Sequence, residues 1–238
     1  MGGLVSYELR DGVATITLDD GKVNALSPAM LTGVGSALDR ADQDDAVVLL
    51  TGRPGVLSAG FDLGVLRAGG QDAMVMLRAG FELARRMLGH PRPVVIGCTG
   101  HAIAMGSFLL LSADYRIGAD GPYKITANEV AIGLTLPWAA TEICRQRLTP
   151  AHFNRATVLA EVYGPADAVQ AGFLDRVVGP ADLASAAWQV AAQARALDMA
   201  AHAATKLRVR EGALAAIGAA IAQDYGELAA GPESAYPN

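Results

Sequence analysis

The sequence predicts a single α/β domain of repeated strand–turn–strand–helix units, continued by C-terminal helices. Three observations lead there. Apolar runs of strand length, residues 46–51 and 93–98, carry no charged residue, as expected of strands covered on both faces. A pattern of apolar strand, turn of small residues and short second extended piece occurs in VVLLTGRPGVLSAGFDL (47–63), PVVIGCTGHAIAMGS (93–107) and YRIGADGPYKITANEVAIG (115–133). From about Pro137 onward the chain reads as almost wholly helical.

Taken in order, residues 5–10 and 13–18 read as two strands joined at Asp11-Gly12, a hairpin signal. Residues 28–41 have helical spacing, with Ser27 as N-cap and Pro28 at the first helical position. The strand at 46–51 precedes a long helix at 71–88 with apolar residues at Met74, Leu77, Phe81 and Met87. A second buried strand follows at 93–98, a helix opens over 106–111, and further strands occupy 115–119 and 175–178. Helices at 183–195, 202–210 and 213–228 carry wide Ala- and Leu-rich faces, suited to closing the chain's own core or to meeting another subunit. Residues 231–238 read as a frayed end. No linker or low-complexity tract divides the chain, so a core over residues 1–180 and a helical region over 181–238 form one continuous domain.

Composition excludes several classes of function. The 238 residues carry a formal net charge of −5 with scattered Lys and Arg, and a pI near 5.3, which leaves no electrostatic footprint for nucleic acid. The most apolar stretch, residues 103–111, is too short to span a bilayer and is interrupted by Gly106 and Ser107. With no basic, apolar leader at the N-terminus, the expected location is the cytoplasm. Cys98 and Cys144 lie in apolar contexts and read as buried, inert thiols. His90, His101, His152 and His202 show no ligand spacing, so neither a metal nor a redox cofactor is expected. His101 alone falls inside a motif, as a structural, pocket-lining or substrate-contacting residue.

The chemistry is carried by LSAGFDL (57–63) and TGHAIAMGSFLLLSADYRI (99–117). In each, a strand-like run breaks into small residues and then opens a helix, a geometry that leaves backbone N–H groups unpaired. Either segment alone reads as a tight turn; together, two such amides can clamp one developing oxyanion. The pair resembles the two oxyanion-hole motifs of the crotonase (enoyl-CoA hydratase/isomerase) superfamily. With GPADAVQAGFLDRVV (164–178), the resemblance extends over about residues 4–210. It implies a spiral of ββα units whose C-terminal helices assemble trimers or paired trimers. It also implies an acyl-CoA thioester substrate, with coenzyme A part of that substrate rather than a cofactor.

Carried over residue by residue, the resemblance makes the Phe61 N–H, after Gly60, and the Met105 N–H, before Gly106, the two donors to a thioester enolate. Ala59, Gly60, Leu63, Gly106 and His101 are implied as substrate neighbours, and Asp62 as a stabiliser of the loop. Ala25 and Leu26 of KVNALS (22–27) would flank the pantetheine. Lys206 in HAATKLR (202–208) would either reach the coenzyme A phosphates or stand in solvent.

The base distinguishes the reactions. Alignment through Gly100, Gly106 and Asp114 places Phe108 where hydratases of the family carry the first of two glutamates. The second falls on Glu129, in ANEVAIGL (127–134). One glutamate, an apolar residue in place of the other and an Asn (here Asn128) before the base resemble the 3-enoyl to 2-enoyl-CoA isomerases. Phe108 and Trp138 are then expected either to narrow or reshape the acyl pocket or simply to be core, and by partly burying Glu129 to raise its pKa. Two departures stand out. Ala104-Met105-Gly106 replaces a Gly-rich run, so Met105 is expected at a backbone position that often holds glycine, and LTLPWAAT (134–141) replaces a glycine-rich segment. A single-glutamate 2-enoyl-CoA hydratase and a non-catalytic acyl-CoA-binding protein are the alternative readings. Without its neighbours, Glu129 reads as a solvated loop carboxylate.

Overall fold

The computed structural model describes residues 3–230, the last six of these by backbone alone. A hairpin of β1 (Val5–Arg10) and β2 (Val13–Leu18) leads into α1 (Pro28–Gln43), whose first turn is capped by Ser27 Oγ accepting from the Met30 N–H at 3.2 Å. Then come β3 (Val47–Thr51), β4 (Gly55–Ser58), α2 (Leu63–Ala68) and α3 (Gly70–Gly89), followed by β5 (Val94–Cys98), β6 (Gly100–Ile103) and α4 (Met105–Leu111). The third repeat is β7 (Tyr115–Ala119), β8 (Ile125–Thr126), a 3-10 turn at Val130–Ile132 and α5 (Trp138–Arg145). The chain closes with α6 (Pro150–Thr157), α7 (Pro165–Ala171), β9 (Arg176–Val178), α8 (Leu183–Ala194) and α9 (Met199–Ala230).

Each repeat contributes its first strand to one sheet and its second strand to another. The larger sheet has the order β1-β2-β3-β5-β7-β9 and the smaller β4-β6-β8; among these strand pairs of the described residues, β1–β2 is antiparallel and the others are parallel. This is the expected spiral of ββα units. The unbroken apolar strands are explained by cover on both faces. Val13, Val47, Leu49, Val95 and Ile117 pack under Leu183, Ala186, Ala187 and Ala191 of α8. On the opposite face, Ala14, Ile16, Val48, Leu50 and Ile96 join the main core with α1, α3, α4 and α5.

The C-terminal region departs from expectation. The two helices predicted at 202–210 and 213–228 are one continuous helix, α9. Gly212 disfavours helix by only about 1 kcal/mol, and burial of Ile217, Ala220 and Ile221 in the chain's own core outweighs it. Lys206 neither stands in solvent nor projects toward a ligand. Its Nζ donates to the carbonyls of His90 (2.9 Å) and Arg92 (3.0 Å) and to Asp114 Oδ2 (2.6 Å), which uses all three of its protons. Asp114 also takes Arg210 Nη1 at 2.9 Å, so this cluster fastens α9 across the starts of β5 and β7. The expected frayed end at 231–238 lies outside the described residues. Among the described residues, no helix is long and apolar enough to cross a membrane.

Candidate active site

The first loop is built from three hydrogen bonds. Ser58 Oγ donates to the Asn24 carbonyl (2.7 Å), the Gly60 N–H donates to Ser58 Oγ (3.1 Å), and the Leu26 N–H donates to the Gly60 carbonyl (2.8 Å). Asn24 is fully buried at φ 53°, and its Nδ2 donates to the Leu18 and Leu57 carbonyls at 2.9 and 3.1 Å. Below it, the Asp20 carboxylate accepts from the amides of Lys22, Asn24 and Ala25 at 2.7, 2.9 and 3.0 Å. Burial pushes the Asp20 carboxyl up, but these N–H groups outweigh it and hold the group below the usual carboxylate range.

The C=O and N–H of a trans peptide point in opposite directions. Leu26 therefore holds the Gly60 carbonyl on one side and turns the Phe61 N–H to the other. There it donates to no acceptor among the described residues. Asp62 follows as the cap of α2, accepting from the Gly64 N–H at 2.7 Å and the Val65 N–H at 3.4 Å.

The second loop obeys the same logic. The Ala104 N–H donates to the Thr126 carbonyl at 2.9 Å, and the Ala104 carbonyl accepts from the amides of Ser107 (2.8 Å) and Phe108 (3.2 Å). That carbonyl faces into α4, so the Met105 N–H faces out of the helix, and it too has no acceptor among the described residues. The strained residue is Ala104 (φ 48°, ψ −123°) rather than Met105. The bend that opens the helix falls on the peptide before the donor, at a cost of about 1–3 kcal/mol.

Glycines bring the two loops together. A β-carbon on Gly106 would lie 2.4 Å from the Ser58 carbonyl oxygen, so only glycine lets α4 rest on the end of β4. A β-carbon on Gly60 (φ 93°) would lie 3.0 Å from the Ile103 oxygen and 3.4 Å from the Met105 nitrogen. The two free amides thus belong to touching backbones.

Glu129 arrives from the neighbouring strand. Ile103 pairs with Thr126 in register, and three residues later the Glu129 carbonyl accepts from the Ile132 and Leu134 amides at 3.1 and 2.9 Å. The residue is 8% exposed, and Oε2 is buried without a hydrogen-bond partner. Burial pushes the carboxyl up to about 7, weakly opposed by the residue's own N–H. On α5, burial and then the Glu129 charge push the Cys144 thiol far above its ordinary value; Cys98 is pushed up to about 12 by burial. A buried carboxyl titrating near neutrality can take a proton and give it back, as acid–base catalysis demands.

The other expected site residues lie in different surroundings. Phe108 is core: 1% exposed, stacked on Phe81 with centroids 6.3 Å apart, while Phe81 meets Phe61 edge-on at 6.0 Å. Gly80 makes room for the Phe61 ring, which a β-carbon there would meet at 2.4 Å. Ala59 and Leu63 are exposed beside the first loop, Asp62 is half-buried, and Ala25 is half-buried beside Leu26. Leu26 is fully buried, so its side chain belongs to the core and only its backbone serves the loop.

Trp138 is 49% exposed, a surface residue and not a core one. Its N–H and that of Ala139 are held by Asp224 Oδ1 and Oδ2, each at 2.9 Å. His101 is engaged within the fold: its Nδ1 accepts from the Lys124 N–H at 3.0 Å and its ring meets Tyr123 edge-on. No group of three or more His, Cys, Asp or Glu able to hold a metal occurs among the described residues. Sequence reasoning missed Asn24, Ser58 and Asp20, the polar frame of the first loop. Their signal was slight: a serine closing an apolar strand and an Asx-rich turn before α1.

The model of the family described as enoyl-CoA hydratase/isomerase matches residues 8–228. The chain belongs to this family. Human mitochondrial enoyl-CoA delta isomerase 1 is 31% identical over 214 residues, covering 87% of this chain and 70% of the relative. The crystal structure of an enoyl-CoA hydratase/isomerase family protein from Pseudomonas syringae is 51% identical, with a TM-score of 0.93 over 94% of this chain and 98% of that one. The apo structure of an enoyl-CoA isomerase from Mycobacterium tuberculosis is 49% identical, with a TM-score of 0.91 over 97% of this chain and all of that one. These likenesses establish the crotonase fold and an enzyme of that superfamily; the family description spans two reactions.

Proposed function

We propose that this chain converts 3-enoyl-CoA to trans-2-enoyl-CoA, with Glu129 as its only acid–base group. The observation that carries the reading is the buried Glu129 carboxyl, unpaired at Oε2 and raised to about 7, together with two loop amides that have no acceptor among the described residues. Phe108, where a second carboxylate would stand, is sealed in the core at 1% exposure.

Ionised Glu129 takes a proton from C2 of the thioester. The C2–H bonding electrons move into the C1–C2 bond and onto the thioester oxygen. The resulting dienolate oxygen is held by the Phe61 and Met105 N–H groups, and a donor of this kind is typically worth about a hundred- to thousand-fold in rate. Glu129 then returns the proton to C4, and the double bond moves from C3–C4 to C2–C3. One carboxylate suffices because the proton is moved and none is consumed. Hydration makes a further demand, since a water must be activated while C2 is protonated.

The same reading takes coenzyme A as part of the substrate and requires no metal or redox cofactor. It includes assembly into homotrimers or pairs of trimers, a reading supported by Leu207 and Val209, exposed at 51% and 77% on α9. Light scattering of the purified protein tests the assembly.

The reaction is tested by NMR-monitored incubation with a 3-enoyl-CoA and, separately, a 2-enoyl-CoA. Conversion of the first without water addition is the expected result. Formation of 3-hydroxyacyl-CoA would make the protein a single-glutamate hydratase. Binding without either product would make it an acyl-CoA-binding protein.

A further inference from the structure

Three buried polar atoms within four residues have no protein partner: Thr126 Oγ1, Asn128 Oδ1 and Glu129 Oε2. Thr126 is 3% exposed and Glu129 8%. Buried polar groups are nearly always hydrogen-bonded, and each orphan costs about 1–3 kcal/mol. A stretch of four residues spans at most about 11 Å between its outer α-carbons, so the three atoms are carried by one short segment that includes the base. The segment cannot swing away to relieve them. The Thr126 carbonyl is bonded to the Ala104 N–H at 2.9 Å, and the Glu129 carbonyl to two amides of the following turn.

The chemistry of the three atoms defines the missing partner. An amide oxygen and an ionised carboxylate only accept, whereas a threonine hydroxyl both donates and accepts. While Glu129 is ionised, the partner must therefore bring at least two donors. The reacting part of a 3-enoyl thioester has none, being a carbonyl oxygen, an alkene and hydrocarbon. Water meets the demand, and a buried water typically makes about three hydrogen bonds to groups otherwise left unsatisfied.

We propose that Thr126 and Asn128 hold an ordered water against Glu129, and that the proton carried by Glu129 exchanges with solvent through it. This rests on the isomerase reading above. While Glu129 is protonated, its O–H and an O–D of the water become O–D and O–H, with no net charge moved. Return of the new proton to C4 then writes a solvent label into the product. Thr126 and Asn128 are positioning residues here; neither touches the reacting carbons.

Two measurements test it. A crystal structure of the purified protein is expected to contain a water within about 3.2 Å of Glu129 Oε2 and of Thr126 Oγ1 or Asn128 Oδ1. No water there overturns the proposal, whatever reaction the enzyme performs. In heavy water, deuterium gained at C4 per turnover is expected to fall at least threefold in Thr126→Val and to recover in Thr126→Ser. Counting label per turnover separates this effect from a slower enzyme. Unchanged labelling in Thr126→Val overturns the exchange role. If the wild type moves no double bond yet holds the water, the isomerase reading and the exchange role both fail, and the water site alone stands.

Discussion

Leu26 and Gly60 are joined by a 2.8 Å hydrogen bond from the Leu26 N–H to the Gly60 carbonyl, and that bond decides where the Phe61 N–H points. A leucine whose side chain is wholly in the core thereby orients a proposed donor through its backbone. The Ala104 carbonyl, facing the first turn of α4, does the same for Met105. Each proposed donor is thus aimed by an acceptor on its own peptide, before any substrate arrives.

Ser58 is the hinge pin of the first loop, since its hydroxyl donates to Asn24 and accepts from Gly60. Ser58→Ala is expected to lower kcat roughly ten- to hundred-fold by loosening one oxyanion donor. KM is expected to change less than about threefold. Steady-state kinetics checks this, and an unchanged kcat would show that the loop keeps its aim without the hydroxyl.

Ala104 holds a conformation proper to glycine. Ala104→Gly relieves about 1–3 kcal/mol of strain, partly offset by about 0.4–1 kcal/mol of added freedom in the unfolded chain. The net expectation is a modest gain in stability with activity retained. Urea denaturation of the variant tests it, and a loss of stability would contradict the strain.

Lys206 is expected to matter for stability and not for substrate. Lys206→Ala leaves Asp114 and two carbonyls short of a partner, which should cost about 3–5 kcal/mol. Denaturation midpoints and KM for acyl-CoA decide the matter: a raised KM with unchanged stability would return Lys206 to the coenzyme A site.

How much of this was legible in the sequence depends on the kind of force involved. The three ββα repeats were readable because burial on both faces writes an unbroken apolar run, as at residues 47–50. The two loops were readable because close backbone approach requires glycine at positions 60 and 106. The burial of Lys206 was not, because one lysine looks like another until the strand starts it bridges are brought together in space. Nor was the frame of Asn24 and Ser58, whose partners lie in separate segments. The continuity of α9 was hidden because a glycine at 212 weakens helix locally while packing decides globally.

Glu129 also writes a pH dependence. Its carboxyl is raised from 4.5 to about 7 on folding, so the folded chain binds the proton more tightly. The associated stability is fully present below about pH 4.5 and is lost as pH rises through about 7. Each tenfold difference in proton affinity is worth about 1.4 kcal/mol, so the loss is on the order of 3 kcal/mol. Glu129→Gln should remove this loss and be the more stable protein at pH 8, while losing isomerisation. In the wild type, kcat/KM should climb as pH rises toward about 7 and level off above it, as ionised base accumulates. A profile flat from pH 5 to 8 would contradict the assignment.

The most direct measurement follows one proton. A 3-enoyl-CoA deuterated at C2 is turned over in ordinary water, and the product is examined by NMR at low conversion. A single base that both removes and returns the proton predicts some of the C2 label at C4, with a larger fraction in Thr126→Val. Product without C4 label in both proteins, or product bearing a 3-hydroxyl, would contradict a single shuttling glutamate.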